Sequence, residues 1–293
     1  MPFLALSFDL AGRDASTAEG ACAALGALAV TFADARDDAV LEPAPGEVRL
    51  WPATRIEALF ALDEHRELRA LALASALGLT ANAVQQRIVD DRIWEREWLR
   101  DFRPTRFGRR LWISPLHAAV TERGATVVRL DPGLAFGTGQ HATTALCLTW
   151  LDEHLSPGAQ VIDYGCGSGI LGIAAAVLGA RAVECFDIDP QALTATAQNA
   201  AVNGASARLT VLEQEHALHT GADVLLANIL AGPLIALAPR FAALLRTGGS
   251  VVLAGLLAEQ EPEVTAAYST WFDMHRYGAR EEWVCLAGAR RGT

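Results

Sequence analysis

A glycine-rich turn between a short apolar run and an apolar helix constrains this chain more than any other feature. Val161–Tyr164 reads as a buried strand, Asp163-Tyr-Gly165-Cys-Gly167-Ser-Gly169 as the turn, and Ile170–Leu178 as the helix. Glycines at such a turn let the backbone adopt dihedrals closed to other residues and let a ligand approach the main chain. The helix start offers unpaired N–H groups to that ligand. Apolar runs and helix-patterned stretches then alternate to the end of the chain. Strands are expected at Ala182–Phe186, Leu209–Leu212, Asp223–Ala227 and Ser250–Ala254, and helices at Pro190–Asn203, Gly232–Leu245 and Ala258–Tyr268. This alternation specifies an α/β fold, with a parallel sheet covered by helices on both faces. Two last runs, Trp271–His275 and Glu282–Ala287, joined at Tyr277–Gly278, imply a closing hairpin and so an antiparallel strand at the sheet edge.

The chain has 293 residues, and at roughly 150 residues per domain two domains are expected. Residues 1–90 carry a different order. Phe3–Leu10, Ala29–Ala33, Ile56–Ala61 and Ala83–Val89 are strand-like, and Ser16–Leu28 and Glu64–Leu77 are helix-like. The order β-α-β-β-α-β is the ferredoxin-like, α+β pattern, with one longer helix over Glu57–Leu77 as the alternative. Residues 91–110 mix charges of both signs with Trp94, Trp98, Phe102 and Phe107, and read as an amphipathic linker helix with an extended exit after Pro104. The third segment, 111–293, is the α/β domain.

Composition removes several function classes. Apolar residues make up 52% and charged residues 20%, which excludes bulk disorder. The net charge of −10 argues against direct nucleic-acid binding over a broad face and favours a basic partner. Five cysteines, Cys22, Cys147, Cys166, Cys185 and Cys285, are odd in number and form no CxxC pair. Neither a disulfide framework nor a zinc site is expected, no metal is assigned, and a reducing cytoplasm fits. The first residues have no basic n-region and no long apolar run, so they do not read as a signal peptide. No apolar stretch reaches the about 20 residues of a membrane span. All 24 basic residues are Arg, for which coding bias in an Ala-rich chain is the simplest account. No heptad seam appears, and a monomer is expected.

Four segments carry chemistry. Gly165, Gly167 and Gly169 are spaced G-x-G-x-G with Asp163 two residues ahead. The dinucleotide fingerprint is G-x-G-x-x-G, so the spacing points away from a nicotinamide cofactor and toward S-adenosylmethionine. A tight turn without a ligand is the alternative. Asp187 ends the next strand, 22 residues after Gly165, where a carboxylate can accept both hydroxyl hydrogens of a ribose. Asp189, beside Pro190, reads as the cap of the next helix. Asn228 ends the strand after that, at the carboxyl edge where open α/β sheets bind ligands. Its amide can hold an amine or an amino-acid group without carrying charge, and a helix cap near Pro233 is the alternative. DPGLAFGTGQHATT, residues 131–144, precedes a helix expected over Leu146–His154, and Thr143 and Thr144 can set hydroxyls at its start. His141 lacks a second ligand-like partner, and His216 and His219 read as solvated.

Together FGTGQHATT, VIDYGCGSGILGIAA, FDIDPQAL and ANILAGPL resemble, in that order, the ribosomal protein L-eleven methyltransferase family (PrmA type) of class I methyltransferases. LEPAPGEVRLW and EREWLRDFRPTRFGRRLWISP extend the resemblance over nearly the whole chain. It implies a Rossmann-like catalytic domain, a linker helix, and a ferredoxin-like N-terminal domain that recognises the substrate protein. Residue by residue, Thr144, Gly165, Asp187 and Asn228 are implied to contact S-adenosylmethionine, with Gly167 and Gly169 in the same loop. Ala142 departs from the Pro or Glu usual in the family, and Gln140 stands at a variable position. The implied reaction methylates lysine ε-amines and the N-terminal α-amine of ribosomal protein L-eleven, up to trimethylation, with Asn228 orienting the amine. A lysine methyltransferase of the same fold acting on another protein is the nearest alternative, a nicotinamide-dependent oxidoreductase is the alternative from another class, and a cofactor-binding module without activity is the last.

Overall fold

The computed structural model describes residues 2–36, 50–63, 65–89, 103–130 and 141–292. The LEPAPGEVR stretch, most of the expected linker helix (residues 90–102) and DPGLAFGTGQ, including Gln140, lie outside the described residues. The chain divides into two compact units, Met1–Ile93 and Trp94–Thr293.

The smaller unit runs β1 (Phe3–Asp9), α1 (Ala15–Ala24), β2 (Ala29–Asp34), β3 (Thr54–Ala61), α2 (Arg66–Ala76) and β4 (Gln85–Val89). Its four strands pair antiparallel in the order β2-β3-β1-β4. Alternation sets the faces. Leu4, Leu6 and Phe8 of β1 point the same way as Ile56, Ala58 and Phe60 of β3, and all six are buried. Against them lie Ala18 and Cys22 of α1 and Ala70, Leu73 and Ala74 of α2. Asp14 starts α1 by accepting the Thr17 N–H at 2.8 Å. The period-two burial of β3 persists to Phe60, so a single helix over Glu57–Leu77 does not form.

The larger unit opens with a three-stranded sheet of β5 (Thr105–Phe107), β6 (Leu111–Pro115) and β7 (Thr126–Leu130). There follow α3 (Ala142–His154), β8 (Gln160–Tyr164), α4 (Ile170–Leu178), β9 (Ala182–Phe186), α5 (Pro190–Val202) and β10 (Leu209–Leu212). Then come β11 (Ala222–Asn228), α6 (Ala231–Leu244), β12 (Leu245–Leu257), α7 (Glu261–Tyr268), β13 (Phe272–Arg280) and β14 (Trp283–Arg290). The second sheet has seven strands in the order β10-β9-β8-β11-β12-β14-β13. From β10 to β12 the pairing is parallel. The chain steps outward from β8 through β9 to β10, then crosses back to β11 and β12. The order therefore reverses between β8 and β11, and the crevice at their carboxyl ends is where such sheets bind ligands. Separate apolar clusters cover the two faces, one built on α3 and α4 and the other on α6 and α7. α4 is buried at Ile170–Ala176 and again at Leu178, which is why its sequence is apolar throughout.

Three expectations need correction. The antiparallel strand of the hairpin is β14, and it slots between β12 and β13 instead of lying outermost. The turn is not at Tyr277–Gly278 either. Those residues lie inside β13 at a register shift between Arg276 and Gly278, and the strands reverse at Glu281–Glu282, with Glu281 at φ 58°. A glycine within a strand marks a bulge as readily as a turn. α3 also begins earlier than Leu146, because His141 caps it: its Nδ1 lies 2.8 Å from Thr143 Oγ1 and accepts the Thr143 N–H.

Residues 103–110, expected as a linker exit, are part of the larger unit. Asp152 of α3 has a fully buried side chain. It accepts the N–H groups of Arg109 and Arg110 and the Arg110 Nε–H, the last two at 3.2 and 3.3 Å. Removing the carboxylate strands these donors, at 1–3 kcal/mol for a buried unsatisfied group. Asp152→Ala is expected to lower the stability of the larger unit by about 3 kcal/mol, read as a drop in its urea midpoint, while Asp152→Asn, which keeps one acceptor, loses about half as much.

Candidate active site at the carboxyl edge of the sheet

The glycine turn of residues 165–169 follows β8 and is tied from several sides. Its Gly165 and Cys166 N–H groups donate to the Phe186 carbonyl at 2.8 and 3.1 Å, hooking the loop onto the end of β9. Thr196 Oγ1 of α5 donates to the Gly167 carbonyl at 3.0 Å, and Asn199 Nδ2 to the Ser168 carbonyl at 2.9 Å. Gly169 is the N-cap of α4, at φ 78°. A Cβ there would lie 2.8 Å from both Thr196 Oγ1 and Cγ2. A Cβ at Gly165, φ 76°, would run into Ile229 Cγ2. Gly165 and Gly169 are thus required by both dihedral and space, and α4 starts without a side-chain cap from Gly169.

Asp187 stands beside this loop. Its Oδ2 accepts the Gly167 N–H at 2.9 Å and its Oδ1 the Asp189 N–H at 3.0 Å. An ionised carboxylate has about four acceptor positions, so two such bonds leave capacity for a diol. Asp189 caps α5, accepting the Gln191 N–H at 2.8 Å with Pro190 in the first turn. Asp187 is therefore not needed as the cap.

Across the switch point, Asn228 ends β11. Its Nδ2 donates to Thr144 Oγ1 in the first turn of α3 at 3.1 Å, and its remaining polar atom is the Oδ1 acceptor. Asn228 does not cap α6; that position is Leu230. Thr144 is 1% exposed. Since Ile229, the residue after Asn228, packs on Gly165, the structure joins Thr144, Asn228, Gly165, Gly167, Gly169 and Asp187 into one neighbourhood. Asp163, behind the loop, is buried and accepts the Gly172 N–H at 2.7 Å. Burial pushes its carboxyl up to about 7, against the pull of that N–H, with the Asp187 charge adding to the rise.

Sequence reasoning missed Ile188, an apolar side chain 91% exposed between Asp187 and Asp189. The signal was available: β9 ends at Phe186, so Ile188 has no strand face on which to be buried. His219 pairs with Glu184, its own side chain mostly exposed, and no group of three or more metal-ligating residues occurs among the described residues. All five cysteines are free and buried.

The residues present suit S-adenosylmethionine. A carboxylate with spare acceptor capacity fits a ribose diol, the capless helix end fits a carboxylate, and an exposed Ile beside them fits a flat base. Comparison with known proteins agrees. The family model described as ribosomal protein L11 methyltransferase (PrmA) matches residues 2–291. A protein of Pseudomonas putida (strain GB-1) named ribosomal protein L11 methyltransferase is 47% identical over 292 residues, covering 99% of this chain and 100% of the relative. One of the same name from Pseudomonas aeruginosa (strain LESB58) is 48% identical, covering 99% of each. Among solved structures, a ribosomal protein L11 methylase of Lactobacillus delbrueckii subsp. bulgaricus aligns with a TM-score of 0.60 at 32% identity, over 65% of this chain and 100% of that one.

Gly169→Ala tests the packing of the loop. The added Cβ meets Thr196 at a positive φ, so a loss of about 2 kcal/mol is expected, measured by thermal unfolding. Pairing it with Thr196→Ala should restore part of that loss.

Proposed function

The chain belongs to the ribosomal protein L11 methyltransferase family and is an S-adenosylmethionine-dependent methyltransferase; from that premise we propose that it methylates amines of ribosomal protein L11. The acceptors in this reading are lysine ε-amines and the N-terminal α-amine, carried up to trimethylation. Residues 1–90 recognise the substrate protein, 91–110 link the domains and 111–293 hold the cofactor. The enzyme acts as a cytoplasmic monomer without contacting nucleic acid; no helix among the described residues is long and apolar enough to cross a membrane.

The observation that carries the site assignment is the Thr144–Asn228 hydrogen bond set beside the Asp187–Gly167 one at the switch point. We assign the cofactor to Thr144, Gly165, Gly167, Gly169, Asp187 and Asn228. When bound, S-adenosylmethionine supplies a methyl group already activated by its sulfonium. What this chain must do is place a neutral amine in line and keep water away. At pH 7 the deprotonation of a lysine costs about 4.6 kcal/mol, and of an α-amine about 1; partial desolvation lowers the lysine cost. Asn228 Oδ1 accepts from an amine N–H without adding charge, and the Thr144 hydroxyl fixes that amide's orientation. The acidic chain, at −10, speeds encounter with a basic partner.

Ribosomal protein L11 from a strain lacking this gene, incubated with the enzyme and S-adenosylmethionine, is expected to gain mass in methyl-sized steps by intact-protein mass spectrometry. Asp187→Ala should abolish the gain. Unmodified L11 alongside measurable cofactor binding would redirect the reading to another protein substrate. Asn228→Ala is expected to cut turnover at saturating cofactor at least tenfold; full turnover would remove Asn228 from the amine-orienting role.

A further inference from the structure

The cofactor crevice lies at the carboxyl edge of the seven-stranded sheet, and a second cavity, of about 470 Å³, lies at the opposite, amino edge. The last turn of α3, the turn leading from it into β8, and the starts of β11 and β12 line it. α3 spans both edges. Thr144 in its first turn meets Asn228, and His154 at its end lines this cavity, about 15 Å away at 1.5 Å per residue. The volume is in the range of small-molecule sites, and none of the lining residues belongs to the cofactor crevice.

The polar groups of the cavity are mostly donors. Arg246 Nε donates to Asp223 Oδ1 at 2.6 Å and its Nη1 to the Thr247 carbonyl at 2.9 Å. Among the described residues, its Nη2 and the hydroxyls of Ser156 and Ser250 have no hydrogen-bond partner. Asp223, the acid among the lining residues, is already engaged, because its Oδ2 accepts the Gln160 N–H at 2.8 Å. Burial works against its charge but is outweighed by that N–H, by Arg246 and by the nearby Arg181, which together hold its carboxyl below the usual range. Arg181 Nε also donates to the carbonyl of Gly158 in the cavity wall, at 3.4 Å. Two guanidiniums thus stand against one carboxylate, in a chain whose overall charge is −10.

The carbonyl end of a helix disfavours an anion, but here it is answered from within. The Leu155 N–H donates to the Leu151 carbonyl, and His154 Nδ1 donates to the Trp150 carbonyl at 3.1 Å. The His154 ring is fixed by stacking on Trp150, with centroids 5.2 Å apart, and by Tyr277 set edge-on at 5.5 Å. Trp150, Pro157, Ala159 and Val224 add an apolar wall.

We propose that this amino-edge cavity is a second ligand site, taking a small phosphate monoester with an apolar or aromatic body. Arg246 Nη2 and the two serine hydroxyls give donors for the three terminal oxygens of such a group, and a guanidinium binds phosphate more strongly than a neutral donor does. The apolar wall takes the body. A cation finds no free counter-charge there, because both Asp223 oxygens are engaged. The site is independent of the cofactor assignment.

Calorimetric titration of the full chain at neutral pH with phenyl phosphate, inorganic phosphate and benzoate tests the site. Phenyl phosphate is expected to bind at least about tenfold more tightly than either of the others, because only it carries both the phosphate and the ring. Saturating S-adenosylhomocysteine should leave this binding unchanged, since the crevice lies at the other edge. Arg246→Gln is expected to weaken it about tenfold. Asp223→Asn, which removes the competing negative charge and keeps an acceptor for Gln160, should strengthen it about threefold; a gain cannot come from a misfolded chain. No binding of phenyl phosphate by the wild type overturns the proposal, and so does inorganic phosphate or benzoate binding as tightly as phenyl phosphate. Displacement by S-adenosylhomocysteine assigns the phosphate to the crevice and overturns it as well, as does a folded Asp223→Asn chain that binds no more tightly than the wild type.

Discussion

Everything at the crevice depends on one constraint: a glycine loop that lets a ligand approach its main chain still has to be rigid. The chain meets it by anchoring the loop through both its carbonyls and its N–H groups. Its carbonyls go to Thr196 and Asn199, and its first two N–H groups to the end of β9. Carboxylates meet the Gly167 and Gly172 N–H groups from the side and from behind. The anchors come from several elements, so the loop geometry depends on the correct assembly of β8, β9, α4 and α5 together.

α3 extends this dependence across the switch point. Its first turn carries Thr144, bonded to Asn228 at the end of β11. Its last turns carry Asp152, which holds the Arg109–Arg110 turn, and Glu153, which accepts the Tyr277 hydroxyl of β13 at 2.7 Å. One helix is therefore fixed at its first turn by the parallel sheet and at its far end by the small sheet and the hairpin. This is how Thr144, on a helix that precedes the sheet's first strand, comes to the crevice. The sequence distance between Thr144 and Asn228 is large, and only the pairing of β8 with β11 brings them together.

The fold was legible where local pattern and tertiary context agree. α4 is apolar throughout because it is buried on nearly every side, and its bounds, Ile170–Leu178, could be read directly. β12 was read as Ser250–Ala254 and runs Leu245–Leu257, because TGG in its first part looks like a turn until a neighbouring strand extends it. Gly278 misled for the same reason: a bulge and a turn use the same residue, and only the partner strand distinguishes them. The placement of Asp187 beside the glycine loop was legible from spacing. The Asn228–Thr144 bond was not, since nothing in either segment names the other. Ile188 was overlooked because an apolar residue is assumed to be core until the strand carrying it is known to have ended.

Asp163 and Asp187 show how far environment, not residue type, decides a role. Both are aspartates at the ends of adjacent parallel strands, and both accept a backbone N–H from the same loop and its helix. Asp187 stands half-buried at the rim, where it accepts two N–H groups and keeps acceptor positions for a ligand. Asp163 is sealed within the fold, where its charge is costly and its proton can be exchanged near neutrality. The rim carboxylate is suited to recognition by direct contact. The sealed one is bonded to Gly172 and fixes the start of α4. Lengthening either to Glu would disturb different things: at the rim, the reach toward a diol, and inside, the packing of Gly172 against Cys185 and Asp163, where a Cβ would already have no room. Two identical side chains, at the ends of adjacent strands, thus meet opposite environments and are suited to different work.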